Sequence, residues 1–205
     1  MKFNSVADYQ KTILAKVGVR IRSTDTVLDL GCGRGDNAVI FSKKAKRVIA
    51  VDIEPWKEWT QTRRKNLSFK RADATKLPFE SGTFDVVFTK DTLHHVKNVS
   101  KALSEIKRVT KKNGLVYIVE ANRYNPIFYI HMTKMLGHEH FSRRVFKQIL
   151  LRHFKNVIFK SVESRVYPVH NKFFHTLMHT LERLVEQTPF VNNYSTYNIA
   201  IATNK

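Results

Sequence analysis

Between residues 26 and 121 short β-branched runs alternate with helix-length stretches, and that alternation restricts the chain to very few architectures. "TVLDLG", "RVIAVD", "LSFKRAD", "FDVVFTK" and "GLVYIVEA" read as strands, while 36–45, 56–65 and 98–110 read as helices. Runs this apolar need cover on both faces, and strand–helix–strand crossovers make neighbouring strands parallel. The order therefore implies an α/β fold, a Rossmann-like doubly wound sheet with helices on both faces. Ahead of it, 5–18 reads as an amphipathic helix opened by Ser5, with Asp8 in its first turn, so residues 1–20 could form a lid. Beyond the fifth strand come an aromatic-rich insertion, "NRYNPIFYIHMTKMLG", a helix at 142–152, a strand at 156–164, a helix at 170–187 and a closing strand in "YSTYNIAIAT". Two late strands around a helix can complete the same sheet, so residues 1–205 are expected to form a single domain.

Composition removes several alternatives. No apolar run approaches the roughly 18 residues that span a bilayer, and charges interrupt the first twenty residues where a signal peptide would be apolar, so a cytoplasmic protein is expected. Cys32 is the only cysteine, which excludes an internal disulfide framework and thiolate-rich zinc sites. The 36 Lys+Arg against 17 Asp+Glu give a net charge of +19, enough to attract nucleic acid, anionic lipid or acidic substrates. That excess is spread along the chain. Clusters such as Lys43, Lys44, Lys46 and Arg47, or Arg63, Arg64 and Lys65, read equally well as solvated helix faces or as an RNA-binding surface.

The stretch "VLDLGCGRGDNA" sits at a strand–turn–helix junction, where glycines let the backbone approach a ligand and free N–H groups face the same crevice. A P-loop would need G-x-x-x-x-G-K-[ST], and neither the lysine nor the hydroxyl residue stands at its offset. A dinucleotide fingerprint counted from Gly31 would place its third glycine at Asp36; the glycine comes at Gly35 and the acid follows it. A carboxylate at that helix start repels a pyrophosphate but tolerates a phosphate-free ligand with a positive centre. S-adenosylmethionine (SAM) has that character.

With these residues in place, the sequence resembles the class I SAM-dependent methyltransferases. The match runs in order through "VLDLGCGRG", "VIAVDIEP", "RADATKLPF", "FDVVFTKDTLHHV" and "RVTKKNGLVYIVEANR". The resemblance implies a mostly parallel sheet with an antiparallel last strand, a SAM cofactor released as S-adenosylhomocysteine, and 122–155 as an insertion on the acceptor side. It implies that Gly31, Gly33 and Gly35 form the cofactor turn and that Asp29 faces the methionine ammonium. Asp73 and Ala74 would read the adenine, Ile53 would pack on its face, and Lys90 would meet the methionine portion through its backbone, since an ammonium beside a sulfonium is unfavourable. Asp52, 21 residues after Gly31 at a strand end, stands where an acid accepts hydrogen bonds from both ribose hydroxyls.

Methyl transfer needs a base only when the acceptor must lose a proton, and "LHHV" supplies His94 and His95 just past the fourth strand as catalytic candidates. Quinone-type and many small-molecule methyltransferases resemble this segment. The chain shows "TKDT" where amino-methylating nucleobase enzymes carry [DN]-P-P-[YFW], and Cys32 is misplaced for carbon-5 pyrimidine chemistry. A small-molecule or lipid-linked acceptor is expected, with Tyr124, Phe128, Tyr129, Met132 and Met135 near it. An RNA acceptor, methylated at ribose or a ring nitrogen, and a non-catalytic SAM-binding regulator are the alternatives. His138, Glu139 and His140, and the pair His175 and His179, have spacings that can chelate, but H-E-x-x-H is missing and no metal is expected. The helix "KFFHTLMHTLERLVEQ" reads as a shield for the sheet rather than a membrane contact.

Overall fold

The computed structural model describes residues 6–125, 129, 140–163, 172–188 and 190–205. Ser5, Phe128, Met132, Met135, His138 and Glu139 lie outside the described residues, as do the side chains of Asp8, His175 and His179.

The elements follow in the order α1 (Val6–Val17), β1 (Thr26–Leu30), α2 (Asp36–Phe41), β2 (Arg47–Asp52), α3 (Glu58–Gln61), β3 (Leu67–Arg71), β4 (Phe84–Lys90), α4 (Val99–Val109), β5 (Thr110–Ala121), α5 (Arg143–His153), β6 (Asn156–Val162), α6 (Lys172–Gln187) and β7 (Tyr197–Thr203). A 7-stranded sheet results, in the order β3-β2-β1-β4-β5-β7-β6. β7 alone runs antiparallel, to β5 on one side and β6 on the other, as the family resemblance implied. β1 sends the chain outward to β2, and β4 returns on its other side. A crevice therefore opens beyond the carboxyl ends of β1 and β4, the point at which such sheets take ligands.

Side chains alternate across the strands and divide the apolar core in two. Leu28 and Leu30 point toward α4 and α5 and pack with Val87, Ile106 and Phe146. Val27 points the opposite way, among Ile13 of α1, Phe41 of α2, Val48 and Phe88. By the same period of two, Asp29 faces the α1/α2 side. Along α4, Ala102, Leu103, Ile106 and Val109 form one buried stripe, and Asn98 caps the helix by accepting the Lys101 amide at 3.0 Å. Ser142 caps α5 through the Val145 amide.

Two helices are shorter than their sequence suggests. α2 stops at Phe41, where the Ser42 hydroxyl turns back to the Val39 carbonyl. Of the expected 56–65, only Glu58–Gln61 is helical. Trp59 is drawn inward there, its indole N–H donating to the Gly33 carbonyl at 2.8 Å and its ring stacking on Phe69. Thr62 then leaves the helix in an extended conformation so that the chain can enter β3.

Candidate functional site

The turn after β1 doubles back over the end of β2. The amides of Gly31 and Cys32 both donate to the Val51 carbonyl, at 2.7 and 3.0 Å. Asp52 closes the loop from the other side: Oδ2 accepts the Gly33 amide at 2.8 Å and Oδ1 accepts the Glu54 amide at 3.3 Å. Gly31 (φ +70°) and Gly35 (φ +93°) are glycine for packing reasons as well as backbone ones. A Cβ on Gly31 would stand 2.0 Å from Thr92 Oγ1, and one on Gly35 would stand 2.6 Å from the Phe69 ring. Gly33 faces open space. Cys32 lies within the turn, where burial pushes its thiol up and leaves it a poor nucleophile.

Beside this turn lies a cavity of about 660 Å³. One wall carries Gly31, Asp52, Ile53, Asp73 and Ala74; the other is the loop after β4, through Asp91, Thr92 and the stretch from His95 to Asn98. Six of the residues singled out in the sequence thus border one space. Ile53 is 57 % exposed, an apolar side chain available to a flat ring, whereas Ala74 is buried. Asp73 Oδ1 accepts the Thr75 amide at 2.7 Å, which holds its carboxyl below the usual carboxylate range.

The other five stand apart from that lining. Asp29 is buried beneath the turn; it takes the Ala38 backbone N–H, and its Oδ2 has no partner. Burial, helped by the charges of Asp52 and Asp36, pushes its carboxyl up to about 7. A positive group would supply the missing partner. Gly35 borders a separate hollow with Arg34 and Asp36. Lys90 turns its side chain away from the cavity, pairing with Asp91 and lying 5.1 Å over the Tyr197 ring. Burial works to lower the Lys90 ammonium, but Asp91, Tyr9 and Glu120 together outweigh it and the group is held above its ordinary value. Gly33 is engaged by Asp52.

His94 is the fifth, and it differs from His95. Its Nδ1 meets Glu120 Oε2 at 2.6 Å with both side chains buried, and its ring packs 4.0 Å from His95 and 4.3 Å from His140. Glu120, at the end of β5, also anchors the loop: its Oε1 accepts the amides of Thr92 and Leu93 at 3.0 and 2.7 Å. The sequence reading missed Glu120, Asp91 and Thr92. The same signal that drew attention to Asp29, an acid inside an apolar strand, is present at Glu120 in "VYIVEA". Asp91 adopts φ +51°, a backbone state costly for a residue with a Cβ. Among the described residues no group of three or more potential metal ligands comes together, and no helix is long and apolar enough to cross a membrane.

Comparison with known proteins agrees with this layout. A family profile described as "Methyltransferase domain" matches residues 28–118. An uncharacterized methyltransferase of Schizosaccharomyces pombe is 36% identical over 123 residues, covering 53% of this chain and 44% of its own length. A demethylmenaquinone methyltransferase of Lactobacillus johnsonii is 29% identical over 185 residues, covering 85% of this chain and 71% of its own length. The crystal structure of a SAM-dependent methyltransferase from Mesorhizobium loti shares the fold with a TM-score of 0.70 at 14% identity, covering 96% of this chain and 99% of that one. The chain spans less than half the length of the first two curated relatives, at 44% and 42%.

Proposed function

We propose that the chain, whose residues 28–118 match a methyltransferase domain, is a class I SAM-dependent methyltransferase that transfers a methyl group from SAM to a small-molecule or lipid-linked acceptor. The observation that carries this is the shared cavity: Asp52, Ile53, Asp73 and Ala74 converge on one space at the switch point of the sheet. The unpartnered Asp29 oxygen fits the same ligand, since a buried carboxylate under the turn suits an ammonium.

The residues divide the work. Asp52 holds the ribose hydroxyls, Asp73 and the Ala74 backbone read the adenine edge, Ile53 covers its face, and Asp29 pairs with the methionine ammonium. The Lys90 backbone borders the methionine portion while its ammonium stays with Asp91 and Tyr197. SAM, when bound, supplies an electrophilic methyl on a sulfonium. Glu120 engages His94 at Nδ1, and His95 borders the cavity from the same loop, so exchange of a proton with the acceptor is assigned to this histidine pair. We read the 205 residues as one domain in which α1 acts as a lid, with the Tyr9 hydroxyl meeting that of Tyr197 at 2.9 Å.

Demethylmenaquinone methyltransferases matching along 71% and 74% of their length support an acceptor of the quinone class, and the exposed Tyr124 lies on the acceptor side of the fold. The net charge of +19 favours one second reading, an RNA acceptor. Calorimetric titration with SAM and transfer of labelled methyl to a reduced demethylquinone test the first. If SAM fails to bind, the site assignment falls. Labelling of RNA instead, with tight and salt-sensitive gel shifts, would favour the second reading, and SAM binding without any transfer in a whole extract would favour a regulator.

A further inference from the structure

We propose that α6 and the turn following it seat the protein on an anionic lipid surface. Leu177, Leu181 and Leu184 recur at helical spacing on one face of α6, and they are 45 %, 44 % and 54 % exposed. Phe190, 82 % exposed with φ +68°, and Val191 carry the apolar surface past the helix end. The other face of the helix meets α1. There Glu182 and Glu186 reach the Lys16 ammonium of α1 at 2.9 and 2.8 Å.

That division has an electrostatic result. From residue 140 to 205 the sequence holds three acids, Glu163, Glu182 and Glu186. The latter two are held by Lys16, and Glu163 accepts the amide and hydroxyl of Thr196 at 3.0 and 2.6 Å. The outward face of α6 therefore presents leucines without an acid among them, with the exposed Arg183 on a different face, while Arg143 grips Asn192 and Asn193 at the adjoining turn. An exposed apolar stripe without outward acids, on a chain of net charge +19, suits a helix lying in an anionic headgroup layer. A second copy of the chain, also carrying +19, is repelled from this face, whereas acidic lipid is attracted. The face also sits at a useful edge. α6 connects the end of β6 to the start of β7, and Tyr197 at that start lies against Lys90, the last residue of β4. The inference does not depend on which acceptor is methylated.

Sedimentation with vesicles separates the outcomes. Wild-type protein is expected to pellet with vesicles of phosphatidylcholine and phosphatidylglycerol, and far less with phosphatidylcholine alone. Replacing Leu177, Leu181 and Leu184 together by Ser should weaken that partitioning on the order of tenfold while leaving SAM affinity intact. Arg183→Glu, a single exposed change that keeps the leucines, should weaken it as well. Equal pelleting of wild type and both variants would show attraction by overall charge and overturn the docking face. So would wild-type protein that ignores the acidic vesicles, or light scattering that shows a dimer dissolved by the leucine changes. Because SAM titration is read separately, loss of vesicle binding and loss of the methyltransferase reading are distinguishable.

Discussion

Asp29→Asn turns the electrostatics of the buried turn into a measurable slope. Burial moves the carboxyl from an ordinary value of 3.8 to about 7, so between those limits the folded protein holds a proton that the unfolded chain releases. For an acid whose folded value is raised, that stability is present at low pH and lost as pH rises through the interval. The unfolding free energy should fall by up to about 1.4 kcal/mol per pH unit within it and level off above about 7. The full displacement caps the effect near about 4 kcal/mol. Asparagine keeps the shape and cannot ionise, so urea unfolding curves of Asp29→Asn should lack this component and exceed wild type at alkaline pH. Bound SAM should reverse the preference, because its ammonium favours the ionised carboxylate. Wild-type affinity should rise as pH approaches about 7, with proton release detectable in buffers of different ionisation enthalpy. If the two proteins show parallel stability profiles, the burial argument fails; if SAM binding exchanges no proton, Asp29 does not face the ammonium.

Asp52→Ala should weaken SAM by about 1–3 kcal/mol in calorimetry, and some loss of stability should accompany it because the Gly33 amide loses its acceptor. Glu120→Ala removes the acceptor from the Thr92 and Leu93 amides and frees His94, so kcat should drop with SAM affinity nearly kept; Glu120→Gln, which preserves the amide contacts, should recover stability but not the pH profile. Gly35→Ala forces a Cβ to within 2.6 Å of the Phe69 ring at φ +93° and should cost about 2 kcal/mol or more in thermal unfolding. Lys16→Met removes the cation that the buried Glu182 shares with Glu186 and should destabilise by about 2–4 kcal/mol, an effect relieved by adding Glu182→Leu.

The strands were legible because their pattern is local: five apolar runs between Thr26 and Ala121 match five parallel strands. α3 was not, because its end is decided by Trp59 binding Gly33 and Phe69, residues that are remote in sequence and meet only when the sheet has formed. Asp52 could be placed from spacing, since a strand end fixes where its last side chain emerges, and Asp73 from the family resemblance. The roles of His94 and His95 could not. Adjacent in sequence, they divide because Glu120, on a different strand, captures one of them. Gly31 and Gly35 were read as making room for a ligand, and they also make room for Thr92 and Phe69, neighbours that no local motif announces.

Asp52, Asp73 and Asp91 line one cavity and Asp29 lies buried nearby, a small acidic basin tempered by Lys97 and Lys101 within a chain of net charge +19. A dissolved cation heading for that basin must first cross a repulsive halo, whereas an anion is drawn inward and then turned back at the last step. Dissolved salt erodes the halo within a screening length of about 8–10 Å but hardly touches charges shielded by protein. Moderate ionic strength should therefore hasten the encounter with a positively charged molecule and slow that with a negatively charged one. A single dial, salt, would tune the two arrivals in opposite senses.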